Sequence, residues 1–362
     1  MRVLVVNAGS SSLKLAVVDH ERTVLATTVE AWAGEEHLEP LREFIAEAGT
    51  VNAVGHRVVH GGPRHTESVV VDDDLLDYLL AIAELAPLHN PRAVAGIRAV
   101  RALRADLPEV ACFDTSFHTD LPPAAHTYAL PREWNERWQL RRYGFHGLSH
   151  AYAVRRAGEI LDRESADLRV VSCHLGAGAS VTAVRGGRSV DTSMGFTPVE
   201  GLVMATRSGS VDPGLLLWLL DEGRVSREEL GEVLEHRAGL KGLSGTDDLR
   251  EVLHARATGD RAAVLAFDVF VHRLCREIGG MAASAGGVDV LVMTGGIGEN
   301  SPDVRAAAAD RLGWLGVALD DRANAAGRPD TDVSADGARV RTVVVAASEE
   351  SEIARETHRL LA

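Results

Sequence analysis

Short runs of β-branched and aliphatic residues open the chain and predict a series of strands. The first run, Arg2 to Asn7, leads into the small-residue loop Ala8 to Ser12. A second strand is predicted at Leu13 to Asp19, and a further extended stretch at Thr23 to Glu30. The pattern predicts a meander of hairpins whose first turn is rich in Gly and Ser.

The same order of elements begins again at Arg169. Arg169 to Cys173 predicts a strand and His174 to Ser180 a second small-residue loop. Two more strands are predicted at Val181 to Val184 and Ser189 to Thr192, separated by a Gly-Gly turn. We interpret this recurrence as a duplicated fold with one copy in each half of the chain.

Other segments carry helical or strand patterns between and after the two copies. Short apolar strands are predicted at Val110 to Asp114, Val288 to Met293 and Val340 to Ala346. Helical spacing is found at Leu75 to Ala86, Pro91 to Arg104, His150 to Leu161, Pro213 to Leu220, Ser226 to His236, Arg261 to Ala285 and Glu349 to Leu361.

Length and composition indicate a globular protein of about two domains. The chain has 362 residues and a net charge of −14, which argues against a nucleic-acid surface because phosphate binding needs clustered Lys and Arg. Three dispersed cysteines argue against a disulfide framework. The longest strongly apolar run, Leu215 to Leu220, is too short to cross a membrane, and no signal peptide is evident. We therefore expect a cytoplasmic protein.

Lysine is rare in this sequence, which uses Arg for nearly all of its positive charge. Only Lys14 and Lys241 occur among the 38 Lys and Arg residues. Lys14 follows a Ser/Gly loop, where its compact charge suits a phosphate group.

Three small-residue loops follow apolar strands and could bind phosphate. They are Asn7 to Ser12, Gly176 to Ser180 and Thr294 to Gly298. Small side chains let backbone N–H groups approach an anion closely. A tight hairpin is the simpler explanation of any one of them. None matches the P-loop or the dinucleotide pattern, so together they favour a two-domain clamp with a hairpin from each half.

Charged residues near these turns suggest chemistry. Arg57 and Arg207 lie beside glycine-containing turns, either as anion-binding groups or as members of structural ion pairs. His146 and His150 are spaced by four residues, but the intervening Gly147 and the lack of a third soft ligand argue against zinc. A core role and a phosphate-binding role therefore remain open for both histidines.

Acidic residues at predicted strand ends could bind Mg²⁺, which prefers oxygen ligands. These are Asp114, Glu349 and Glu350. For the last two, charge at a helix N-terminus is an alternative explanation.

Eight segments together resemble the acetate kinase family and occur in that family's order over nearly the whole chain. They are NAGSSSLK at 7–14, GHRVVHGG at 55–62, APLHNP at 86–91, FDTSFH at 113–118, RYGFHGLSH at 142–150, HLGAGAS at 174–180, DTSMGFTPVEGLVMATRSG at 191–209 and TGGIGEN at 294–300.

The resemblance implies an α/β fold: a duplicated actin-like ATPase (ribonuclease H-like) fold, with two domains around a nucleotide cleft. It assigns residues 1–118 and the C-terminal helix at about 351–362 to an N-terminal domain on the acyl-substrate side. Residues 119–350 form a C-terminal domain on the nucleotide side.

The resemblance also implies a set of catalytic residues. Arg57 and Arg207 hold the acetate carboxylate and the transferring phosphoryl group. His146 hydrogen-bonds the oxygens of that group, and Asp114 is the essential acid. A carboxylate acceptor is already ionised at neutral pH, so we expect Asp114 to orient an arginine or a Mg²⁺-bound water rather than to accept a proton.

Binding residues follow from the same resemblance. Asn7 and Glu349 bind Mg²⁺, with Mn²⁺ as an alternative metal and Glu350 as an alternative ligand. The ATP/ADP substrate contacts Lys14, Ser10, Ser12, His174, Leu175, Gly176, Ala177, Gly178, Asp248, Leu249, Arg250, Gly296, Ile297, Gly298, Glu299 and Asn300. The acetate pocket comprises Arg57, Val59, Leu88, His89, Phe145 and Pro198.

The implied activity is reversible, Mg²⁺-dependent and direct in-line phosphoryl transfer from ATP to acetate, giving acetyl phosphate and ADP, in a homodimer. The small pocket at Val59 favours acetate over propionate or butyrate, although discrimination per methylene is modest. A non-catalytic nucleotide-binding clamp is the other alternative. It is suggested by Ala177, which stands where the family has Asn in its second phosphate loop.

Overall fold

The computed structural model describes residues 1–9, 12–20, 22–32, 34 and 37–362. The chain divides into two compact units. The first comprises Met1–Thr119, Phe145–Tyr152 and Ser348–Ala362, and the second Asp120–Gly144 and Ala153–Ala347. The sequence-based division assigns residues 145–152 to the other domain, whereas here they pack within the first unit.

The first unit contains a six-stranded sheet in the order β3-β2-β1-β4-β6-β5. Its central strands β1, β4 and β6 are parallel, and the other pairings are antiparallel. The strands are β1 (Arg2–Ala8), β2 (Ser12–Asp19), β3 (Arg22–Glu30), β4 (Ala53–Val58), β5 (Val69–Val70) and β6 (Glu109–Phe113).

The second unit contains a six-stranded sheet in the order β11-β12-β10-β7-β8-β9. Its central strands β7, β10 and β12 are parallel, and its other pairings are antiparallel. The strands are β7 (Arg169–Leu175), β8 (Ala179–Arg185), β9 (Arg188–Thr192), β10 (Val290–Thr294), β11 (Thr331–Asp332) and β12 (Arg341–Val344).

The two sheets have the same topology. In both, an antiparallel meander of three strands is followed by two parallel strands and one antiparallel edge strand. The register also shifts at corresponding points, between Val17 and Val18 in the first sheet and between Ala183 and Val184 in the second. The duplication predicted from the sequence is therefore confirmed.

The described residues also form α-helices. They are α1 (Glu39–Ala48), α2 (Asp73–Ala81), α3 (Asn90–Arg104), α4 (Pro123–His126), α5 (Arg132–Trp138), α6 (Gly147–Ile160), α7 (Pro213–Leu220), α8 (Arg227–Glu232), α9 (Gly239–Ser244), α10 (Leu249–Ala257), α11 (Arg261–Ser284), α12 (Gly295–Asn300), α13 (Pro302–Leu312), α14 (Asp321–Ala326) and α15 (Glu349–Leu361). No helix in the described ranges is long and apolar enough to cross a membrane.

Most predicted helices form close to their expected positions. Helices α7 and α15 have the predicted bounds, and α2 begins earlier because the Asp72 side chain caps it by accepting the Leu75 N–H. The prediction of a third small-residue loop is wrong, because Gly295 to Asn300 forms the short helix α12 directly after β10.

Helix α15 packs on one face of the first sheet and helices α1 and α3 on the other. Val3 and Val5 of β1 share a buried cluster with Ile353 of α15. Leu4 and Val6 point to the opposite face and contribute to another cluster. Alternate residues of β1 therefore face α15.

Candidate active site

Three predicted site residues lie at the carboxyl ends of the parallel strands of the first sheet. Asn7 is near the end of β1, Arg57 near the end of β4, and Asp114 directly follows β6. Each is two residues beyond a position that packs against α15, so all three share the α15 face. Lys14 pairs with Asn7 across β1 and β2 and lies on the same face.

Arg57 and Asp114 form a two-pronged ion pair. Arg57 Nε donates to Asp114 Oδ1 at 3.0 Å, and Nη2 donates to Oδ2 at 2.7 Å. Asp114 has 1% of its side chain exposed and Arg57 has 17%. If Asp114 orients an arginine, its carboxylate must bond the guanidinium in this two-pronged way.

The charges of this pair influence one another strongly. Burial raises the pKa of the Asp114 carboxyl, and the nearby Arg57 guanidinium opposes that rise. Burial would lower the pKa of Arg57, but the carboxylates of Asp114 and Glu349 outweigh it and raise that pKa. Arg57 therefore remains a cation at the edge of the sheet.

Glu349 begins α15, and its Oε1 atom lies 4.0 Å from Arg57 Nη2. The donor set of Asn7 and Glu349 suits a hard cation, because it offers an amide oxygen and a carboxylate. Among the described residues, no group of three or more His, Cys, Asp or Glu side chains could hold a metal.

A strained turn places His146 beside Asp114. His146 has a φ of +57°, a left-handed value uncommon outside glycine. Its backbone N–H interacts with the Asp114 carboxylate, and the Gly147 N–H donates to the Asp114 carbonyl at 2.9 Å. A Cβ on Gly147 would lie 2.2 Å from that carbonyl, so glycine is required there.

The two histidines of this segment differ in their surroundings. His146 precedes α6 and is half-buried, whereas His150 lies inside the helix and is fully buried. Of the two roles left open for His150, its burial agrees with a core role.

The residues expected to form the substrate pocket differ widely in exposure. Phe145 is 1% exposed, whereas 43% of Leu88 is accessible. Val59 and His89 are half-buried.

Two buried histidines to which sequence analysis gave no role contact Phe145. The His60 ring meets Phe145 edge-on at 5.5 Å, and His118 Nε2 lies 3.0 Å from the Phe145 carbonyl oxygen. Asn90 bonds both the N–H and the carbonyl of His60. His60, His118 and Asn90 all lie in the sequence segments quoted above, but only the folded structure shows that they are buried and which residues they contact.

The first hairpin loop is closed by a bond from the Gly9 N–H to the Ser12 carbonyl, at 2.8 Å. Lys14 is exposed on β2, immediately beyond this loop. Ser10 lies outside the described residues.

The second unit repeats this hairpin after β7. The Gly176 N–H donates to the Gly178 carbonyl at 3.0 Å, closing a loop whose middle residue, Ala177, is exposed. His174 is half-buried and pairs with Thr294, the last residue of β10. Leu175 is fully buried.

The loop that carries Arg207 lies against this second hairpin. The Ala205 N–H donates to the Ala177 carbonyl at 3.2 Å, and Arg207 Nη1 lies 3.5 Å from the Pro198 carbonyl. Burial lowers the pKa of Arg207, and the charge of Glu235 opposes that change. Within the described ranges, Arg207 forms no ion pair, so its guanidinium can neutralise an added anion.

Asp248, Leu249 and Arg250 form the start of α10. Asp248 caps the helix by accepting the Arg250 N–H at 2.8 Å, and bonds to the Arg250 side chain lower the pKa of Asp248 to about 2. Leu249 is buried.

The segment at α12 is anchored at several points. Glu299 Oε1 accepts the Ala347 N–H at 3.0 Å, and Asn300 Nδ2 donates to the Gly296 carbonyl at 2.9 Å. Gly298 is buried, whereas Gly296 is exposed and Ile297 is half-buried.

Comparison with known proteins supports the resemblance. Residues 35–355 match the model of the acetokinase family. An acetate kinase from Synechococcus sp. is 48% identical over 331 residues, covering 91% of this chain and 80% of that protein.

Solved structures agree. A propionate kinase from Francisella tularensis is 36% identical, with a TM-score of 0.92 over 99% of this chain and 100% of that one. An acetate kinase from Porphyromonas gingivalis is 35% identical, with a TM-score of 0.92 over the whole of both chains. The predicted α/β actin-like fold is thereby confirmed. The chain belongs to the acetokinase family and is a phosphotransferase with a carboxyl group as acceptor.

Proposed function

We propose that this enzyme is an acetate kinase, which transfers the γ-phosphoryl group of ATP reversibly and directly to acetate. The observation that carries the proposal is the buried Arg57–Asp114 pair beside His146, together with Arg207, which forms no ion pair with another described residue. Such groups suit a reaction between anions, where charge stabilisation and positioning supply most of the acceleration.

Each residue has a role in this scheme. Asp114 holds the Arg57 guanidinium through both carboxylate oxygens, so Arg57 can present its remaining N–H groups to an acetate carboxylate. His146 donates to oxygens of the phosphoryl group, and Arg207 neutralises charge that develops on them. Asp114 accepts no proton, because the attacking carboxylate is already ionised.

Asn7 of β1 and Glu349 of α15 would hold Mg²⁺, and the ion would supply charge neutralisation at the ATP phosphates. Lys14 and the hairpin N–H groups of the second unit would bind phosphate oxygens. The nucleoside would contact the segments at α10 and α12.

An acetate substrate is supported by the acetate kinases among the relatives, and propionate by the solved propionate kinase. A hydroxamate assay with acetate, propionate or butyrate, each with Mg-ATP, separates these substrates. We expect the highest kcat/KM with acetate and a measurable side activity with propionate. A higher kcat/KM with propionate would reassign the substrate. No acyl phosphate from any acid would favour a non-catalytic clamp, and loss of activity in EDTA with recovery on added Mg²⁺ tests the metal.

We also propose a cytoplasmic homodimer. The three described cysteines are free, which suits a reducing compartment. Leu215, Leu217 and Trp218 of α7 are about half exposed or more, an apolar surface that a second copy could cover. Sedimentation equilibrium should show a dimer that Leu217→Asp weakens, and a monomeric wild type would contradict this.

A further inference from the structure

A network around Glu200 joins two segments of the second unit. Tyr128 Oη donates to Glu200 Oε2 at 2.7 Å, and Arg142 Nη2 donates to Glu200 Oε1 at 2.7 Å. Arg142 also lies over the Tyr128 ring, 5.7 Å from its centroid. Both oxygens of the carboxylate are thus held by the segment that precedes α6.

The same two side chains bind the backbone of the loop before Glu200. Tyr128 Oη accepts the Phe196 N–H at 2.8 Å. Arg142 Nη1 donates to the carbonyls of Ser193 and Met194, at 3.2 and 3.0 Å. The hydroxyl of Tyr128 therefore links Phe196 directly to Glu200.

The packing around Gly195 leaves no space for another side chain. A Cβ there would lie 1.8 Å from Glu200 Oε2 and 2.2 Å from Tyr128 Oη. The Gly195 carbonyl accepts the N–H groups of Tyr143 and Gly144, at 3.1 and 3.3 Å. The loop is consequently fixed at every residue from 193 to 196.

This loop leads directly to Arg207. The Gly201 N–H donates to Ser210 Oγ at 3.0 Å, and the Ser210 N–H returns to the Gly201 carbonyl at 3.0 Å. These bonds close the segment that carries Arg207. Arg207 Nη1 is also within 3.5 Å of the carbonyl of Pro198, two residues before Glu200.

We propose that Tyr128 and Glu200 are positioning residues that set the placement of the Arg207 guanidinium for phosphoryl transfer. The inference rests on the proposed role of Arg207 in that reaction. Burial and the neighbouring Glu200 carboxylate raise the pKa of Tyr128, so its hydroxyl remains a donor at neutral pH. Small displacements of a catalytic cation reduce turnover strongly, while substrate affinity can be unaffected.

Tyr128→Phe tests the proposal because it retains the ring and deletes only the bridging hydroxyl. Glu200→Gln, the double variant, and the wild type complete a mutant cycle. Asp289→Asn is the matched control, because Asp289 forms a two-pronged pair with Arg169, at 2.7 and 3.0 Å, near the amino end of β7 in the same unit. The readouts are kcat and KM for each substrate in the hydroxamate assay, and the thermal midpoint.

We expect each single variant to lose about tenfold in kcat, with KM for ATP changed by less than about twofold. The kcat of the double variant should lie within about twofold of the kcat of the slower single variant, because both changes break the same network. Asp289→Asn should keep its kcat within about twofold of the wild type.

A loss in kcat below about threefold in Tyr128→Phe would overturn the proposal, as would an equal loss in Asp289→Asn. A purely structural role would lower the thermal midpoint and the folded fraction, but not kcat per folded molecule. An inactive wild type would instead refute the proposed function, so the two failures are distinguishable.

Discussion

Asp114→Asn tests how the central ion pair works. The substitution retains the size of the side chain and removes the charge that Arg57 contacts at 3.0 and 2.7 Å. Glu349 Oε1, at 4.0 Å, would remain near the guanidinium. Arg57 would then be a largely buried cation that has lost its main counter-charge.

The expected cost follows from that burial. Breaking a buried pair by neutralising one partner costs about 3–5 kcal/mol. Because 17% of the Arg57 side chain is exposed, we expect the lower end of that range. About 3 kcal/mol corresponds to a fall of roughly 6–12 °C in the thermal midpoint of a unit of this size. Because the Arg57 guanidinium would lose the contacts that orient it, kcat should fall by about 10²-fold or more.

The assay measures kcat at saturating acetate and Mg-ATP between about pH 6 and pH 8, alongside thermal unfolding. Glu109→Gln is the matched control, because at the other end of β6 Glu109 forms a buried hydrogen bond with His56 and a partly buried ion pair with Arg101. The control should lose stability but keep its kcat per folded molecule.

Two outcomes would refute the reasoning. A kcat for Asp114→Asn within about tenfold of the wild type would show that Asp114 has no essential role in the reaction. A double variant with Arg57→Ala that loses the product of the two single losses would show that Asp114 does not act through Arg57.

Four further predictions follow from individual residues. Arg207→Ala should lower kcat by about 10³-fold, and a loss below about tenfold would contradict a role on the transferring group. Ala177→Asn should lower KM for ATP by about tenfold, since one bond to a charged group contributes about 1.5–3 kcal/mol, and an unchanged KM would contradict phosphate contact there. Gly55→Ala should destabilise the first unit by about 1–3 kcal/mol in urea unfolding, because its Cβ would lie 2.5 Å from Ile353 Cγ2, and an unchanged midpoint would contradict that packing. Burial lowers the pKa of His118 from 6.5 to about 4, so below pH 6.5 the unfolded chain binds a proton that the folded chain does not. The unfolding free energy should therefore fall as pH drops from about 6.5 to about 4, by up to about 1.4 kcal/mol per unit for this group, and His118→Gln should reduce that slope in urea titrations.

The order of strands and loops was readable in the sequence because local patterns determine it. Val3 to Val6 and Val170 to Cys173 are mostly β-branched or apolar runs that precede small-residue turns, and the repeat of that pattern predicted the duplicated sheet. Helix α12 was missed because Thr294 to Gly298 contains three glycines, which local propensity assigns to a loop. Its helical form depends on packing, including the close contact of Gly295 with Leu175.

The sequence by itself determined which residue types were available: two arginines beside small-residue turns, an acid after a strand, and one lysine beyond the first loop. Only the tertiary structure decided which of them meet. Asp114 and Arg57 are far apart in the chain and come together because β4 and β6 are parallel neighbours whose carboxyl ends share one edge. The network of Tyr128, Arg142 and Glu200 likewise has no local sequence pattern, because ion pairs and hydrogen bonds between distant segments depend on the fold rather than on spacing along the chain.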